Sequence, residues 1–303
     1  MKRAVWLIEA GCAVILSLPI AVMPLPWAMK AGEALGLLLF YIWGSRRRIA
    51  MENLTRTVAV GALKISQPAE TIIRNIFKNL GRSFSEIIKV YYGSGQRIID
   101  AVHIEGIEHV QAARASGKGV LLVTGHCGNW ELLALCASAK VFPISIVARP
   151  INNPYINRFI ERARMKYGNR IIYKKNALKP IMQGLKKNDC IGILMDQAVI
   201  PEEGYVIDFL GRGAWTTKMP ALIARKTGAA AIPAFIHREG HGHTIRIYPA
   251  VELSGGNVEK AIKADTEKFS GYIEQYIREH ADEWLWIHRR WKRVSSVVSG
   301  DSG

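Results

Sequence analysis

The stretch Gly119-Val-Leu-Leu-Val-Thr-Gly-His-Cys-Gly-Asn-Trp-Glu-Leu-Leu-Ala134 passes from an apolar, β-branched run through a glycine-flanked turn into a helix start. Val120 to Val123 has the residue types of a buried strand. Gly125 and Gly128 permit a tight path, Asn129 is placed to cap a helix, and Glu131 falls in its first turn, where the helix dipole favours a carboxylate. His126 sits in the turn itself. Open α/β sheets collect their reactive groups beyond the carboxyl ends of strands. A carboxylate that accepts from one imidazole nitrogen leaves the other basic, so His126 and Glu131 form a candidate general-base pair. A structural turn histidine is the competing reading. Cys127 raises a thiol nucleophile as a third, although neighbours in a tight turn usually point apart.

Outward from this stretch the same alternation continues. Val120–Val123, Ile144–Val147, Ile171–Tyr173, Ile191–Leu194 and Ala230–Ile236 read as buried strands, and Thr244–Tyr248 as a more exposed one, with helical connectors between them. This is the pattern of an α/β fold with a largely parallel central sheet flanked by helices. We expect the catalytic core over 101–295, a helical segment packed on it over 46–100, a hydrophobic anchor or interfacial region over 1–45, and a flexible tail over 296–303. In the helical segment Ile72, Ile76, Leu80, Phe84 and Ile88 recur at helical spacing. Val5 to Pro26 approaches the ~20 apolar residues a spanning helix needs, interrupted by Glu9, Pro19, Pro24 and Pro26. It either spans or lies in the interface. A signal peptide fits less well, because Trp27-Ala28-Met29-Lys30 offers no small-residue cleavage site.

The 303 residues carry 41 Lys and Arg against 25 Asp and Glu, a net charge of +16, which favours a polyanionic partner. No zinc-finger spacing, RNP-like strand or basic heptad helix accompanies it, so nucleic acid is set aside in favour of an anionic membrane or a phosphorylated substrate. Arg46, Arg47 and Arg48 follow a second apolar run and are placed to meet anionic headgroups. Near the other end, Trp284, Trp286 and Trp291 interleave with His288, Arg289, Arg290 and Lys292, either as a membrane or phosphate-binding face or as core tryptophans beside solvated cations. Cys12, Cys127, Cys136 and Cys190 form no CxxC pair, which suits free thiols in a reducing compartment.

The string HCGNWE, an H-x-x-x-x-E motif, resembles that of the lysophospholipid acyltransferase superfamily and, within it, the lipid A lauroyl and myristoyl (late) acyltransferase branch. Arg46-Arg-Arg-Ile-Ala-Met-Glu-Asn-Leu54, Val147-Ala-Arg-Pro-Ile-Asn-Asn-Pro154, Leu194-Met-Asp-Gln197, Phe209-Leu-Gly with Ala214-Trp-Thr-Thr-Lys-Met-Pro220, Thr227-Gly-Ala-Ala-Ala-Ile-Pro233 and Glu283-Trp-Leu-Trp-Ile-His-Arg-Arg-Trp-Lys292 resemble further segments of that branch. Together they cover nearly the whole chain. The resemblance implies a membrane-bound O-acyltransferase at the cytoplasmic face of the bacterial inner membrane. It implies single-step transfer from acyl carrier protein to a hydroxyl of a lipid A precursor, often Kdo-decorated, with no metal or organic cofactor. His126 and Glu131 would be catalytic. Amides near Gly128 and the Arg149 guanidinium are candidates to hold the oxyanion, and Asn129, Asp196, Gln197 and Glu203 are candidates for substrate contact, with structural hydrogen bonding the alternative for Asp196 and Gln197. Asp196, Glu203 or Asp208 could replace Glu131 as the carboxylate that orients His126. Rival readings are acylation of another acceptor, such as a phosphoinositol mannoside or a lysophospholipid, and a basic membrane-binding protein without activity. The glycerol-phosphate branch is disfavoured, because it carries an FPEG-type strand end where this chain has Met195-Asp-Gln197.

Overall fold

A computed structural model describes residues 2–240, 242–292 and 294; the expected tail at 296–303 lies outside the described residues. Two apolar helices come first, α1 (Lys2–Val22) and α2 (Leu25–Ile42). Pro24 and Pro26 at their joint give no N–H to continue α1 and preset the first turn of α2. Then follow α3 (Gly44–Ala59) and α4 (Ala69–Tyr92). Helices α2 and α4 meet through small residues: a side chain at Gly32 or Gly36 would overlap the Gly81 or Phe77 carbonyl. Arg82 and Glu33 close the same contact at 2.5 Å.

The α/β part runs α5 (Gln96–Asp100), β1 (Val102–Glu105), α6 (Ile107–Ala115), β2 (Val120–Thr124), α7 (Trp130–Lys140), β3 (Ile144–Ala148), α8 (Pro154–Arg164), β4 (Arg170–Tyr173), α9 (Leu178–Lys186) and β5 (Cys190–Leu194). A short 3-10 turn (Pro201–Glu203) leads to β6 (Gly204–Phe209), β7 (Arg212–Thr217), α10 (Met219–Thr227), β8 (Ala230–Glu239), β9 (Gly242–Ile247) and α11 (Val258–Glu279). Seven strands form one sheet in the order β1-β9-β8-β2-β5-β3-β4. Its neighbours are parallel except the β8–β9 hairpin. The fold is therefore α/β with a mostly parallel central sheet flanked by helices.

Alternation along the strands divides the core. Leu121, Val123, Ile191, Ile193 and Phe235 face α9, α10, α11 and the helices before the sheet. Val120, Leu122, Ile144, Ile146 and Ile236 face α5, α6 and α7. Two differences from the sequence reading have local causes. Strand β9 is mostly buried, because the unanticipated β1 covers its outer edge. The separate hairpin β6–β7 was also unanticipated. It turns through Leu210 and Gly211, both at positive φ (52° and 74°), the arrangement a two-residue hairpin requires.

Candidate active site

Strands β2 and β5 are parallel neighbours with Thr124 opposite Leu194, so the chain leaves both at one edge of the sheet. His126 and Asp196 each lie two residues beyond that pair, and Met195 N donates to Thr124 O at 3.0 Å to continue the register. The side chains meet there. His126 Nδ1 lies 2.8 Å from Asp196 Oδ1, and the His126 backbone N–H donates to Oδ2 at 2.9 Å. The ionised carboxylate only accepts, which puts the ring proton on Nδ1 and leaves Nε2 as the basic nitrogen. Gln197 Nε2 sits 3.2 Å from that Nε2.

Asp196 is buried, and burial alone opposes its charge. The His126 ring and amide and the nearby His288 overcome this and hold its carboxyl well below the usual range. Burial likewise disfavours protonation of His126, but the charge and hydrogen bond of Asp196 outweigh it and raise the imidazole above its ordinary value. The pair is thus an anion beside a strengthened base.

The carboxylate bonded to the His126 ring is Asp196 and not Glu131. In the first turn of α7, Glu131 points toward α8 and takes Arg164 bidentately, at 2.9 Å from Nε and 2.5 Å from Nη2. Its charge still reaches His126 through space. Glu203 and Asp208 are engaged elsewhere, Glu203 with Lys174 at 3.3 Å and Asp208 with the Gly211 amide at 2.9 Å.

The turn is held by the C-terminal box. Gly128 N donates to Glu283 O at 2.8 Å and Leu285 N to His126 O at 3.1 Å, so residues 283–285 lie antiparallel along the turn. Gly128, at φ 55°, passes so close to the Ile236 carbonyl that a Cβ would overlap it. Its amide is consumed by Glu283, which corrects the expectation that it would face an oxyanion. Asn129 is likewise committed: Oδ1 caps α7 at Leu132 N, 3.1 Å, and Nδ2 donates to Glu86 Oε2 at 2.8 Å, with the side chain buried. These two bonds hold the turn against α4 and the start of α7. Cys127 faces the core, where burial pushes its thiol well above the usual range, which disfavours the thiol nucleophile.

A cavity of about 560 Å³ adjoins the pair. It is lined by Trp43, Ser45, Arg46, Gln197, His288, Arg289 and Lys292, and Gln197 connects it to the His126 ring. The His288 ring lies 6.5 Å from that of His126, centroid to centroid. Burial and the surrounding cations lower its imidazole to about 4, so it is neutral at pH 7. Among the described residues, Arg46, Arg289 and Lys292 have no carboxylate within ion-pairing distance, so their field acts on the cavity. Arg47 instead lies over the Phe40 ring and donates to Phe40 O, while Arg48 is exposed. Arg149 is exposed just past β3 and makes no hydrogen bond or ion pair among the described residues.

Arg290, expected with the surface cations, is fully buried: it donates to Trp215 O at 2.7 Å and to Thr216 Oγ1 at 2.5 Å, and lies over the Phe209 ring. Trp284, Trp286 and Trp291 are buried too, so the box is core with Arg289 and Lys292 at its surface. Sequence reasoning missed Asn53, whose Nδ2 donates to Trp286 O (2.9 Å) and His288 O (2.8 Å) and so ties the box to α3. It also missed the buried Glu86, held by Arg238 and His243 and lowered to about 2 despite its burial.

Comparison with known proteins identifies the family. The family model for bacterial lipid A biosynthesis acyltransferases matches residues 2–293. The phosphatidylinositol mannoside acyltransferase of Mycobacterium tuberculosis is 25% identical over 94% of this chain and 88% of its own length. The lipid A biosynthesis palmitoleoyltransferase of Escherichia coli is 24% identical over 89% of this chain and 86% of its own. The lipid A biosynthesis lauroyltransferase of the same organism is 24% identical over 95% and 92%. With a match that runs from the first apolar helix through the C-terminal box, the chain belongs to the bacterial lipid A biosynthesis acyltransferase family.

Proposed function

We propose that this chain transfers a fatty acyl group from an acyl thioester on acyl carrier protein to a hydroxyl of an anionic glycolipid of the lipid A precursor type, at the cytoplasmic face of the inner membrane. The observation that carries this reading is the 2.8 Å bond between His126 Nδ1 and Asp196 beside a cavity walled by unpaired cations. His126 Nε2 takes the acceptor hydroxyl proton as the oxygen attacks the thioester carbon. The C–O bond forms, the C–S bond breaks, and the proton returns from Nε2 to the leaving thiolate. Asp196 keeps the ring in the required tautomer and stabilises the imidazolium. Glu131 acts at one remove, by fixing Arg164 and with it α8 against α7. Gln197, on Nε2 now, marks where the acceptor hydroxyl would sit. With the Gly128 amide engaged, Arg149 and the neutral His288 ring are the candidate donors for the oxyanion. Arg46, Arg289 and Lys292 would receive the acceptor's anionic headgroup.

A mannosylated phosphoinositide acceptor is the second reading, because the mycobacterial relative matches at 25% identity and the two lipid A enzymes at 24%. Purified full chain would be given an acyl thioester with either a tetra-acylated lipid A precursor or a phosphatidylinositol mannoside, and products weighed by mass spectrometry. One added acyl chain on the lipid A precursor supports the proposal. Acylation of the mannoside alone replaces the acceptor, and no transfer to either sinks the reading.

A further inference from the structure

Helix α9 has two faces of different character. Ala177, just before it, and Ile181 and Leu185 within it are buried in the core. On the outer side Asn176, Leu178, Lys179, Met182, Gln183 and Lys186 line an open groove of about 520 Å³, to which Leu178 and Met182 bring apolar surface and the two lysines charge. Between residues 170 and 188 the chain carries six cations, Arg170, Lys174, Lys175, Lys179, Lys186 and Lys187, and no acid. Among the described residues, Arg170 pairs with Asp189 at 3.6 Å and Lys174 with Glu203 at 3.3 Å, while the other four are exposed with no carboxylate within ion-pairing distance.

Strand order relates this face to the reacting pair. Strands β2, β5, β3 and β4 are successive parallel neighbours, so His126, Gln197, Arg149 and Lys174 follow their ends along one edge of the sheet, in that order. Three inter-strand steps of ~4.8 Å put the end of β4 about 14 Å from the end of β2. Lys174 N donates to Ala148 O at 2.8 Å and carries the register to the foot of α9. Around this edge Ile151, Tyr173, Leu178 and Ile200 are between 40% and 46% exposed, so apolar surface is set among the cations. An apolar centre with a charged rim is the anatomy of a protein-docking surface.

We propose that the outer face of α9, with the loop 174–177 before it, is where the acyl donor docks: an acidic carrier protein that presents its thioester on a flexible arm. The inference rests on the carrier-protein donor proposed above. Complementary charge both selects such a partner and steers its approach. With the carrier body on α9, an arm laid along the sheet edge past Arg149 brings the thioester to His126. The groove shares no lining residue with the cavity at Arg46, Arg289 and Lys292, so donor and anionic acceptor reach the pair without competing for the same cations. An anionic leaflet is the rival occupant of a basic face. Helices that lie in an interface present Trp, Phe and Leu to it, whereas residues 170–188 contain neither Trp nor Phe and Leu178 is their one exposed leucine.

The test follows the fluorescence anisotropy of labelled bacterial holo acyl carrier protein as the full chain is added in detergent micelles. The parent should bind it, and more weakly as salt rises. Lys175→Glu/Lys179→Glu should raise the Kd on the order of tenfold or more, because it sets like charges against each other. Lys118→Glu/Lys226→Glu makes the same change of charge before β2 and β8, at the amino edge of the sheet, and should bind as the parent does. All four lysines are exposed, so the melts should coincide, and the milder Lys175→Ala/Lys179→Ala should lose part of the same affinity. Equal Kd values for the two glutamate variants, or a parent that does not bind the carrier, overturns the proposal. So does a Lys175→Glu/Lys179→Glu chain that keeps its affinity for the carrier and floats less with phosphatidylglycerol vesicles, which gives the face to lipid. Binding is read without turnover: a carrier held at α9 but never used as donor would sink the proposed activity and leave the docking surface standing.

Discussion

The indole Nε1 of Trp284 donates at 2.9 Å to Oδ2 of Asp196, the same oxygen that accepts the backbone N–H of His126. The carboxylate is therefore set by three segments: the turn after β2, the end of β5 and the C-terminal box. Its other oxygen is left for the imidazole alone. This makes the orientation of the base a product of the whole core and links packing of the box to the chemistry proposed for His126.

Replacing the base is the first check. His126→Ala should lower turnover by ~10²–10⁴-fold, the usual worth of general-base catalysis. The change also takes from the buried Asp196 Oδ1 the donor it has, a loss of about 1–3 kcal/mol, so the thermal melt should fall and turnover is read per folded molecule. Near-normal turnover would remove His126 from the mechanism.

The pH dependence separates the two carboxylates. Only neutral His126 can act as base, and Asp196 raises its pKa, so the acid limb of kcat/KM should lie above the ordinary imidazole value. Asp196→Asn removes that charge: the limb should move to lower pH while the plateau falls. Glu131→Gln removes a more distant charge, so its shift should have the same direction and be smaller. A larger shift in Glu131→Gln than in Asp196→Asn would return the orienting role to Glu131.

How far the site was legible in the sequence follows from the range of each interaction. The strand, turn, cap and helix around His126 are local, and their residue types announce them. The His126–Asp196 bond depends on β2 and β5 lying side by side in one register, which the strand pattern suggests without fixing, so sequence alone leaves Asp196 on a par with Glu203 and Asp208. Glu131 attracted the assignment because it is close in sequence, whereas its partner Arg164 lies on another helix. The exposed Arg289 and the buried Arg290 are neighbours of one type; only the β6–β7 hairpin, absent from the strand reading, distinguishes them. Glu86 gave no signal, because a charged residue inside an amphipathic pattern reads as solvated until Arg238 and His243 are placed around it.

The Trp284 contact has its own measurement. Trp284→Phe keeps an aromatic ring in the core and deletes the donor to a buried carboxylate, a loss of about 1–3 kcal/mol in chemical denaturation. Because the pKa of Asp196 is depressed on folding, the stability it contributes is present above its unfolded pKa and is lost as pH falls through the folded value. The gap between Trp284→Phe and parent should therefore be full at neutral pH and narrow in acid. A gap independent of pH would mean that only ring packing was lost.

Arg149 offers a cleaner test than most surface cations. It is exposed and has no bonded partner among the described residues, so Arg149→Lys should leave the melting temperature unchanged. If the guanidinium holds a substrate oxyanion bidentately, the lysine keeps the charge and loses the fork, and kcat should fall at low and high salt alike. Unchanged kinetics would discard Arg149 as a site residue.

The neighbours Arg289 and Arg290 should respond in opposite ways, although one change removes one cation from each. Arg289 is exposed at the cavity and unpaired among the described residues. Arg289→Ala should therefore keep its fold and kcat, raise the KM for an anionic acceptor, and lose its difference from the parent as salt screens the parent's field. Arg290 is buried without a bonded carboxylate, which pushes its guanidinium down to about 10, and it is held by Trp215 O, Thr216 Oγ1 and the Phe209 ring. Deleting it removes the donor to Trp215 O and to Thr216 Oγ1, whose hydroxyl keeps its own bond to Ala214 O, and leaves a void beside Phe209. With each buried acceptor worth about 1–3 kcal/mol, Arg290→Ala should lower the melting temperature by several degrees at any salt concentration. The activity remaining per folded molecule should keep the parental KM. Thermal melts beside acceptor titrations at two ionic strengths decide both cases. A salt-dependent KM defect in Arg290→Ala, or a large melting shift in Arg289→Ala, would contradict the burial that separates them.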